Sequence, residues 1–300
     1  METTSPNHRT GWLMAAVAWL VMLLVSDLPN ILLNLRQGEP DWLFLTKAGV
    51  LVVFLCVTLF VPKLRLLWQV AVIFLAFLLI RRASAWLGGT ALWQNWFGQG
   101  GNRFYRGHLG WQLLGLLEMT AMIAVTLAVR RQPSAFFLAK GQLDAPLQPV
   151  RWLGIGSGER WSTFGWIFGG CIAAGIAIFV AASSWSAFSN FGKAAALYPG
   201  VILFAAMNAL SEELTFRSPL LSTTHEVIGQ GQALAFSSVF FGLAHFLYGD
   251  PSGVIGFLFT AFVAFLFGKS MLETRGSLWA WFMHFVADIP IFLLYALTSV

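Results

Sequence analysis

The chain has 300 residues, of which 58% are hydrophobic and only 10% are Asp, Glu, Lys or Arg. About a quarter of the residues of a soluble globular domain are charged, so this composition excludes an ordinary soluble protein. The net charge of +5 does not indicate a nucleic-acid partner, because Lys and Arg are grouped in short segments between apolar runs, as at Lys63/Arg65 and Arg130/Arg131.

Nine apolar runs in the chain are candidates for membrane-spanning helices, each of which needs about 20 residues. They lie at 11–36, 41–61, 64–80, 110–129, 162–183, 195–216, 230–248, 252–272 and 277–298. We expect eight or nine of them to span the bilayer, the alternative for one run being a re-entrant or interfacial segment. The predicted fold class is all-α, a polytopic transmembrane helical bundle in an integral membrane protein.

Two less apolar stretches divide the chain. Residues 81–109 interleave Trp, Phe and Tyr with Arg, which is typical of an interfacial segment, although a nucleic-acid stacking surface is the alternative for such a mixture. Residues 132–160 are rich in Pro and Gly and are predicted to form a linker loop. The sequence therefore predicts an N-terminal transmembrane bundle at 1–131 and a second membrane unit at 161–300.

Five titratable residues lie in or beside the apolar runs of the last third of the chain. They are Glu212, Glu213, His245, His284 and Asp288. A charged side chain at membrane depth costs about 3 kcal/mol or more, so such residues persist mainly where they line a polar cavity and have a function. Their grouping in one part of a hydrophobic protein is typical of a buried reaction centre or of an ion path.

The first of these groups is a pair of glutamates followed by an arginine. Glu213 and Arg217 are four residues apart with the acid first, which favours an ion pair on a helix. Glu212 is turned by about 100° from Glu213 and can face a different environment, where a carboxylate held away from water suits a general base. The alternative is that both glutamates mark the end of a span, because Pro219 ends the helix soon afterwards.

The two histidines each have a partner on the same helical face. His245 follows Phe241 by four residues, so the Phe241 ring can pack beside the imidazole. Asp288 follows His284 at the same spacing and can orient the imidazole, or share a water or a metal with it. For each histidine alone, a hydrogen-bonded core position is the alternative.

Taken together, these side chains can hydrolyse a peptide bond without a covalent intermediate. A carboxylate beside an imidazole can activate water, and a second imidazole with a hydrogen-bonded partner can stabilise an oxyanion. The same atoms also allow a catalytic zinc ion, because two neutral histidines and a carboxylate are common zinc ligands. The zinc ligands would be His245, His284 and Glu212.

Three motifs on successive apolar runs carry a resemblance to a known family. They are Glu-Glu-x-x-x-Arg at 212–217, Phe-x-x-x-His at 241–245 and His-x-x-x-Asp at 284–288. In this order they resemble the CPBP family, the CAAX prenyl protease and bacteriocin-processing proteins, also called the Abi family of intramembrane proteases. The resemblance covers roughly residues 195–295. It implies an intramembrane protease similar to the type II CAAX prenyl endopeptidases, which are glutamate-dependent although long classed as metalloproteases.

The resemblance also implies roles for individual residues. Glu212 and His245 would activate the attacking water, and His284 and Asp288 would hold the oxyanion of the tetrahedral intermediate. Asp288, however, stands where the prenyl endopeptidases have Asn, and an ionised carboxylate repels an oxyanion instead of donating to it. Asp288 is therefore expected to be protonated, to orient and charge His284, or to bind a metal.

The remaining implications concern support, cofactors and partners. Glu213 and Arg217 would be structural supports, with Phe241 packed beside His245. No cofactor is favoured, and zinc is the alternative. The expected partners are the lipid bilayer and a membrane-anchored or lipidated protein or peptide substrate, in the inner membrane of a bacterial cell; no oligomeric state is predicted.

Two other classes of function compete with the protease. One is a non-enzymatic scaffold or immunity protein of the same fold. The other is a transporter with a proton relay through Asp27, Glu118, Glu212 and Asp288. A relay needs acids along a path from face to face, whereas a protease groups them in one cavity, and the grouping of the motifs after residue 205 favours the protease.

Overall fold

The computed structural model describes residues 8–35, 38–98, 103–131, 133–249 and 251–300. Within these ranges the regular secondary structure is helical, apart from two isolated β-bridges. The all-α fold class is confirmed. The α-helices of the described residues are α1 (His8–Val25), α2 (Leu28–Leu32), α3 (Asp41–Phe60), α4 (Trp68–Gly89), α5 (Ala91–Trp93), α6 (Arg103–Arg130), α7 (Trp161–Ser183), α8 (Tyr198–Glu212), α9 (Ser218–Ile228), α10 (Gln230–Tyr248), α11 (Gly253–Thr274) and α12 (Leu278–Leu297).

Eight helical segments of the described chain are long and apolar enough to cross a membrane. They are Asp41–Phe60, Pro62–Gly89, Phe104–Arg130, Trp161–Ser183, Lys193–Ile228, Gln230–Tyr248, Gly253–Thr274 and Leu278–Leu297. The prediction of a polytopic helical protein with eight or nine spans is confirmed, and the chain is an integral membrane protein.

The first predicted span, 11–36, is wrong as a single helix. α1 ends at Val25, and its apolar part is too short to count as a span. Pro29 lies in the first turn of α2, where its missing N–H costs nothing, but it could not continue α1. The Ser26 hydroxyl accepts a hydrogen bond from the backbone N–H of Leu28, the first residue of α2, at 3.2 Å.

The predicted interfacial segment 81–109 is helical over much of its described length. α4 continues past residue 80 to Gly89, and α6 takes up the end of the segment. Arg81 extends this apolar helix while lying 3.3 Å from the carboxylate of Glu118 on α6. Residues 99–102 lie outside the described residues, and the location of the segment at the membrane interface stays a prediction.

The chain forms two compact units, each assembled from separate stretches of sequence. The first unit comprises residues 1–80, 122–136 and 216–269, and the second comprises 81–121, 137–215 and 270–300. The three-part division of the sequence at 1–131, 132–160 and 161–300 concerns the order of segments along the chain and stays a prediction.

Aromatic packing in the first unit fixes α10, the helix that carries His245. Phe236 and Phe240 are four residues apart and therefore share one face of α10. Phe74 on α4 packs against both rings, at centroid distances of 5.8 and 5.3 Å, and Phe77 lies 5.3 Å from Phe240. Such tilted and edge-on contacts contribute about 0.5–1.5 kcal/mol each beyond the area they bury.

In the second unit, α12 packs against α7 and α8. The approach of α7 depends on Gly165, since a Cβ atom there would overlap the indole ring of Trp279 on α12. On the other side of α12, the Trp281 indole N–H donates to the carbonyl oxygen of Ala206 on α8 at 3.0 Å. These contacts fix the positions of α8 and α12 relative to one another, and these two helices carry most of the candidate site.

The described part of the predicted linker loop, residues 133–160, holds short 3₁₀ turns and both β-bridges. Two tryptophan indole N–H groups form hydrogen bonds in and beside this segment. Trp161, which opens α7, donates its indole N–H to Glu273 at 2.8 Å, and Trp279, near the start of α12, donates to the Leu143 carbonyl oxygen at 2.9 Å. The loop thereby anchors the first turn of α12.

Candidate active site

A change of helix type marks the glutamate pair. α8 ends at Glu212, and residues Glu213–Arg217 form a single π-helical turn before α9 begins. Pro219 at the start of α9 has no N–H with which to continue an α-helical ladder, and a wider turn accommodates this loss. π-helical turns inside membrane helices are frequent at functional sites, so the local sequence itself creates an unusual backbone at this position.

Four of the predicted site residues lie together in the second unit. The His284 imidazole on α12 has its Nδ1 atom 2.8 Å from Oε1 of Glu213. Its Nε2 atom lies 3.7 Å from Oε2 of Glu212 and 3.6 Å from Oδ1 of Asp288. One imidazole is therefore surrounded by three carboxyl groups.

The exposure of these carboxyl groups differs in a way that separates their roles. The Glu213 side chain is fully buried, and that of Asp288 is 9% exposed. The Glu212 side chain is 24% exposed, so water can reach it. Among the three, Glu212 is therefore the carboxyl group best placed to act on a water molecule.

The hydrogen bond to Glu213 fixes the orientation of the His284 ring. A carboxylate oxygen only accepts, so the proton in this bond belongs to Nδ1 of His284. The opposite ring atom, Nε2, then faces the space between Glu212 and Asp288. Nδ1 is therefore bonded to the buried Glu213, and Nε2 faces the partly exposed Glu212.

One member of the cluster was missed by the motif analysis. Asn208 on α8 lies between the two helices, and its Nδ2 atom is 3.0 Å from Oδ2 of Asp288 and 3.3 Å from Oε1 of Glu212. A signal for it existed in the sequence, because Asn208 precedes Glu212 by four residues and so shares its helical face.

The other predicted site residues lie in the first unit. The Nδ1 atom of His245 is 2.9 Å from the carbonyl oxygen of Phe241, and the two rings pack with centroids 4.5 Å apart. Because a carbonyl oxygen only accepts, Nδ1 of His245 carries a proton, and in the neutral ring Nε2 is then the acceptor. The predicted packing of Phe241 beside His245 is confirmed.

Arg217 is completely buried and lies among aromatic rings of the same unit. Its guanidinium carbon is 4.8 Å from the ring centre of Phe241 and 5.4 Å from that of Phe267. Glu213 belongs to the other unit, so the predicted ion pair between Glu213 and Arg217 stays a prediction. The pairing of Glu212 with His245 also joins different units and stays a prediction.

A zinc ion was the alternative for the same side chains. Across the described ranges, no group of three or more His, Cys, Asp or Glu side chains is placed so that it could hold a metal ion. The donor set considered for zinc, His245 with His284 and Glu212, joins residues of both units and stays a prediction.

Comparison with known proteins finds one family model that matches the part of the chain containing this site. Residues 194–290 match the family model described as type II CAAX prenyl endopeptidase Rce1-like. The matched region contains the glutamate pair and both histidines, and the family indicates a protease. No curated protein and no solved structure matches the chain. The resemblance is thus confirmed for residues 194–290 of this integral membrane protein, which match the CPBP/CAAX protease family.

Proposed function

We propose that the chain is a glutamate-dependent intramembrane endopeptidase that uses no cofactor. Its substrate is a membrane-anchored or lipidated protein or peptide, and the description of the matched family points to a prenylated C-terminus as the first class to test. The observation that carries the proposal is the polar cluster of Glu212, His284 and Asp288 on α8 and α12, inside the matched region and within membrane-spanning segments. The proposed location is the inner membrane of a bacterial cell.

Glu212 is the proposed general base. Its side chain is partly accessible, and one of its oxygens is held by Asn208, which limits the directions in which the carboxylate can turn. Glu212 takes a proton from water as the oxygen attacks the scissile carbonyl carbon, and the proton is then passed to the leaving amine. His245 assists through Nε2, the ring nitrogen that its bond to the Phe241 carbonyl leaves as an acceptor.

His284 is the proposed donor to the oxyanion. Glu213 holds Nδ1, so the N–H on Nε2 of the charged ring is available to the developing negative charge. Asp288 orients this ring and favours its charge, since Oδ1 lies 3.6 Å from Nε2 while Oδ2 accepts from Asn208. Of the roles considered for Asp288, support of His284 is therefore the one we propose, with Glu213 and Arg217 as structural supports.

The competing functions predict different behaviour of the same side chains. A proton relay through Asp27, Glu118, Glu212 and Asp288 requires Glu118 to exchange protons, whereas its carboxylate forms an ion pair with the Arg81 guanidinium at 3.3 Å. A scaffold or immunity protein needs no reactive carboxylate. Both alternatives therefore predict that no peptide bond is cut when Glu212 is intact.

The test uses native membranes, because these contain the substrate whatever its identity. Membranes from source cells that lack the gene are incubated with the purified wild type, with Glu212→Gln, or with the matched control Glu226→Gln. Glu226 lies outside the cluster, 60% exposed and paired with Arg130. Mass spectrometry of labelled peptide termini should reveal new termini with the wild type and the control but not with Glu212→Gln. No new termini with the wild type, or equal numbers with Glu212→Gln, would overturn the proposal.

A further inference from the structure

The side chains around Nε2 of His284 form a closed ring of four residues. Asn208 contacts one oxygen of Glu212 and one of Asp288, at 3.3 and 3.0 Å. The other oxygen of each carboxyl group faces Nε2 of His284, at 3.7 and 3.6 Å. Both carboxyl groups are thus held between the same amide and the same imidazole.

Chemistry fixes the orientation of the Asn208 amide in this ring. The carboxylate oxygens of Glu212 and Asp288 have no hydrogen to offer, so the NH₂ end of Asn208 must face them. An amide nitrogen carries two hydrogens and can donate one to each oxygen. Asn208 therefore links the two carboxyl groups through a neutral double donor.

Two packed helices, α8 and α12, hold the Asn208 and Asp288 side chains, which are both short. Asn208 and Glu212 are one turn apart on α8, and Asp288 lies on α12, which packs directly against α8. A short side chain on a packed helix has few conformations. The hydrogen bond to Oε1 of Glu212 therefore restricts how the carboxylate plane can rotate and which oxygen is left for water.

From this ring we infer that Asn208 is a positioning residue of the proposed reaction, which holds the Glu212 and Asp288 carboxyl groups in their working orientation. The inference rests on the proposed function, because it assigns Asn208 the task of aligning the general base. Asn208 acts through Glu212 and Asp288 and has no contact with the scissile bond in this assignment. A misaligned base slows the chemical step more than it weakens substrate binding.

The first measurement compares two replacements that both keep the branching pattern of the Asn208 side chain. Asn208→Leu removes both donors, and we expect kcat to fall by about 10- to 100-fold with KM changed less than about threefold. Asn208→Asp keeps the shape but adds a third acceptor beside two carboxyl groups, so its kcat should be lower still. A role in packing alone predicts the opposite order, because the isosteric Asp disturbs packing less than Leu.

The second measurement is a double-mutant cycle between positions 208 and 288. Asn208→Asp combined with Asp288→Asn restores a donor and an acceptor facing one another, so the effects on kcat should be non-additive by about tenfold or more. The substrate is a synthetic peptide spanning the site that the wild type cuts most in native membranes. Leu210→Ala, an exposed position on the same helix, is the control for folding and for kcat.

The outcomes separate the positioning role from the proposed function. If Glu212→Gln is inactive while Asn208→Leu and Asn208→Asp keep kcat within about threefold of the wild type, the positioning role is overturned and the protease stands. Additive effects in the cycle, or a higher kcat for Asn208→Asp than for Asn208→Leu, overturn it as well. If Glu212→Gln is active, the proposed function fails and the inference fails with it. Where Asn208→Leu does not fold, the isosteric variant and the cycle decide.

Discussion

Glu213 and Glu212 are adjacent in sequence, yet the structure gives them different surroundings. Glu213 is fully buried and holds Nδ1 of His284 at 2.8 Å, whereas Glu212 is partly exposed. Sequence reasoning separated the two glutamates by their angular positions on a helix and assigned support to Glu213. The predicted ion pair with Arg217 stays a prediction, and the hydrogen bond to His284 was not predicted, because it depends on how α12 packs against α8.

The first prediction therefore concerns Glu213. Glu213→Ala removes the acceptor of a buried imidazole N–H, and the unsatisfied donor should cost about 1–3 kcal/mol of stability. Glu213→Gln keeps an acceptor oxygen at the same place and should retain most of that stability. Thermal unfolding of the purified variants in detergent measures the difference. Equal melting temperatures for Ala and Gln would show that the bond to His284 does not support the fold.

Asn208 illustrates both the reach and the limit of reading the sequence. Its place four residues before Glu212 put it on the right helical face, so its nearness to the glutamate was predictable. Its second hydrogen bond, to Asp288, joins positions 80 residues apart. No local pattern encodes a contact of that kind, since it exists only once the two helices are packed.

At the scale of elements, the candidate site depends on how closely helices approach α12. Gly165 on α7 leaves room for the Trp279 ring, and a Cβ atom at this position would overlap it. Gly170 lies on the same helix and has open space where its Cβ would be. Periodicity alone does not distinguish these two glycines, so their difference is a result of the structure.

The second prediction uses this contrast. Gly165→Val should force α7 away from Trp279 and destabilise the protein by about 1–3 kcal/mol or more, as overpacking of a core does. Gly170→Val, which adds the same atoms in open space, should be close to neutral. Yield of monodisperse protein and its melting temperature report the effect. A similar loss in both variants would mean that valine acts through helix propensity and not through the contact with α12.

The third prediction concerns the π-helical turn and its arginine. Arg217→Ala removes a fully buried side chain that packs over the rings of Phe241 and Phe267, and we expect a loss of about 2–5 kcal/mol. Folded protein should therefore be lost before catalytic rate is. Arg160→Ala is the control, because Arg160 is exposed and its ion pair with Asp144 is worth little. Folded, stable and inactive Arg217→Ala would instead point to a direct part in the reaction.

At the scale of the whole molecule, the sequence was most informative about class and least informative about boundaries. Apolar runs of spanning length predicted the helical membrane fold, and three short motifs predicted the region that matches the protease family. The first run was wrong as a span because Pro29 restarts the helix, and the helix at 64–80 runs on to Gly89 through Arg81. In a sequence, an arginine after an apolar run indicates the end of a span. Here the helix continues through Arg81, because the Glu118 carboxylate lies 3.3 Å from its guanidinium.

The fourth prediction follows from the proposal that the reaction uses no cofactor. Protein treated with a strong chelator and freed of it by gel filtration should cleave its substrate at the untreated rate. Adding zinc to the treated protein should not increase that rate. Loss of activity on chelation, restored by a stoichiometric amount of zinc, would contradict the cofactor-free mechanism while leaving the protease assignment intact.

The measurement that most directly tests the central claim is the cleavage rate of Glu212→Gln in purified form. Wild type, Glu212→Gln and Glu226→Gln are reconstituted at equal amounts in lipid vesicles with a quenched peptide that spans a mapped cleavage site. Loss of a general base lowers rates by about 10²- to 10⁴-fold, so Glu212→Gln should be slowed by that factor with an unchanged melting temperature. The control should match the wild type. A Glu212→Gln protein that cleaves the peptide at the wild-type rate would contradict the claim that Glu212 activates the attacking water.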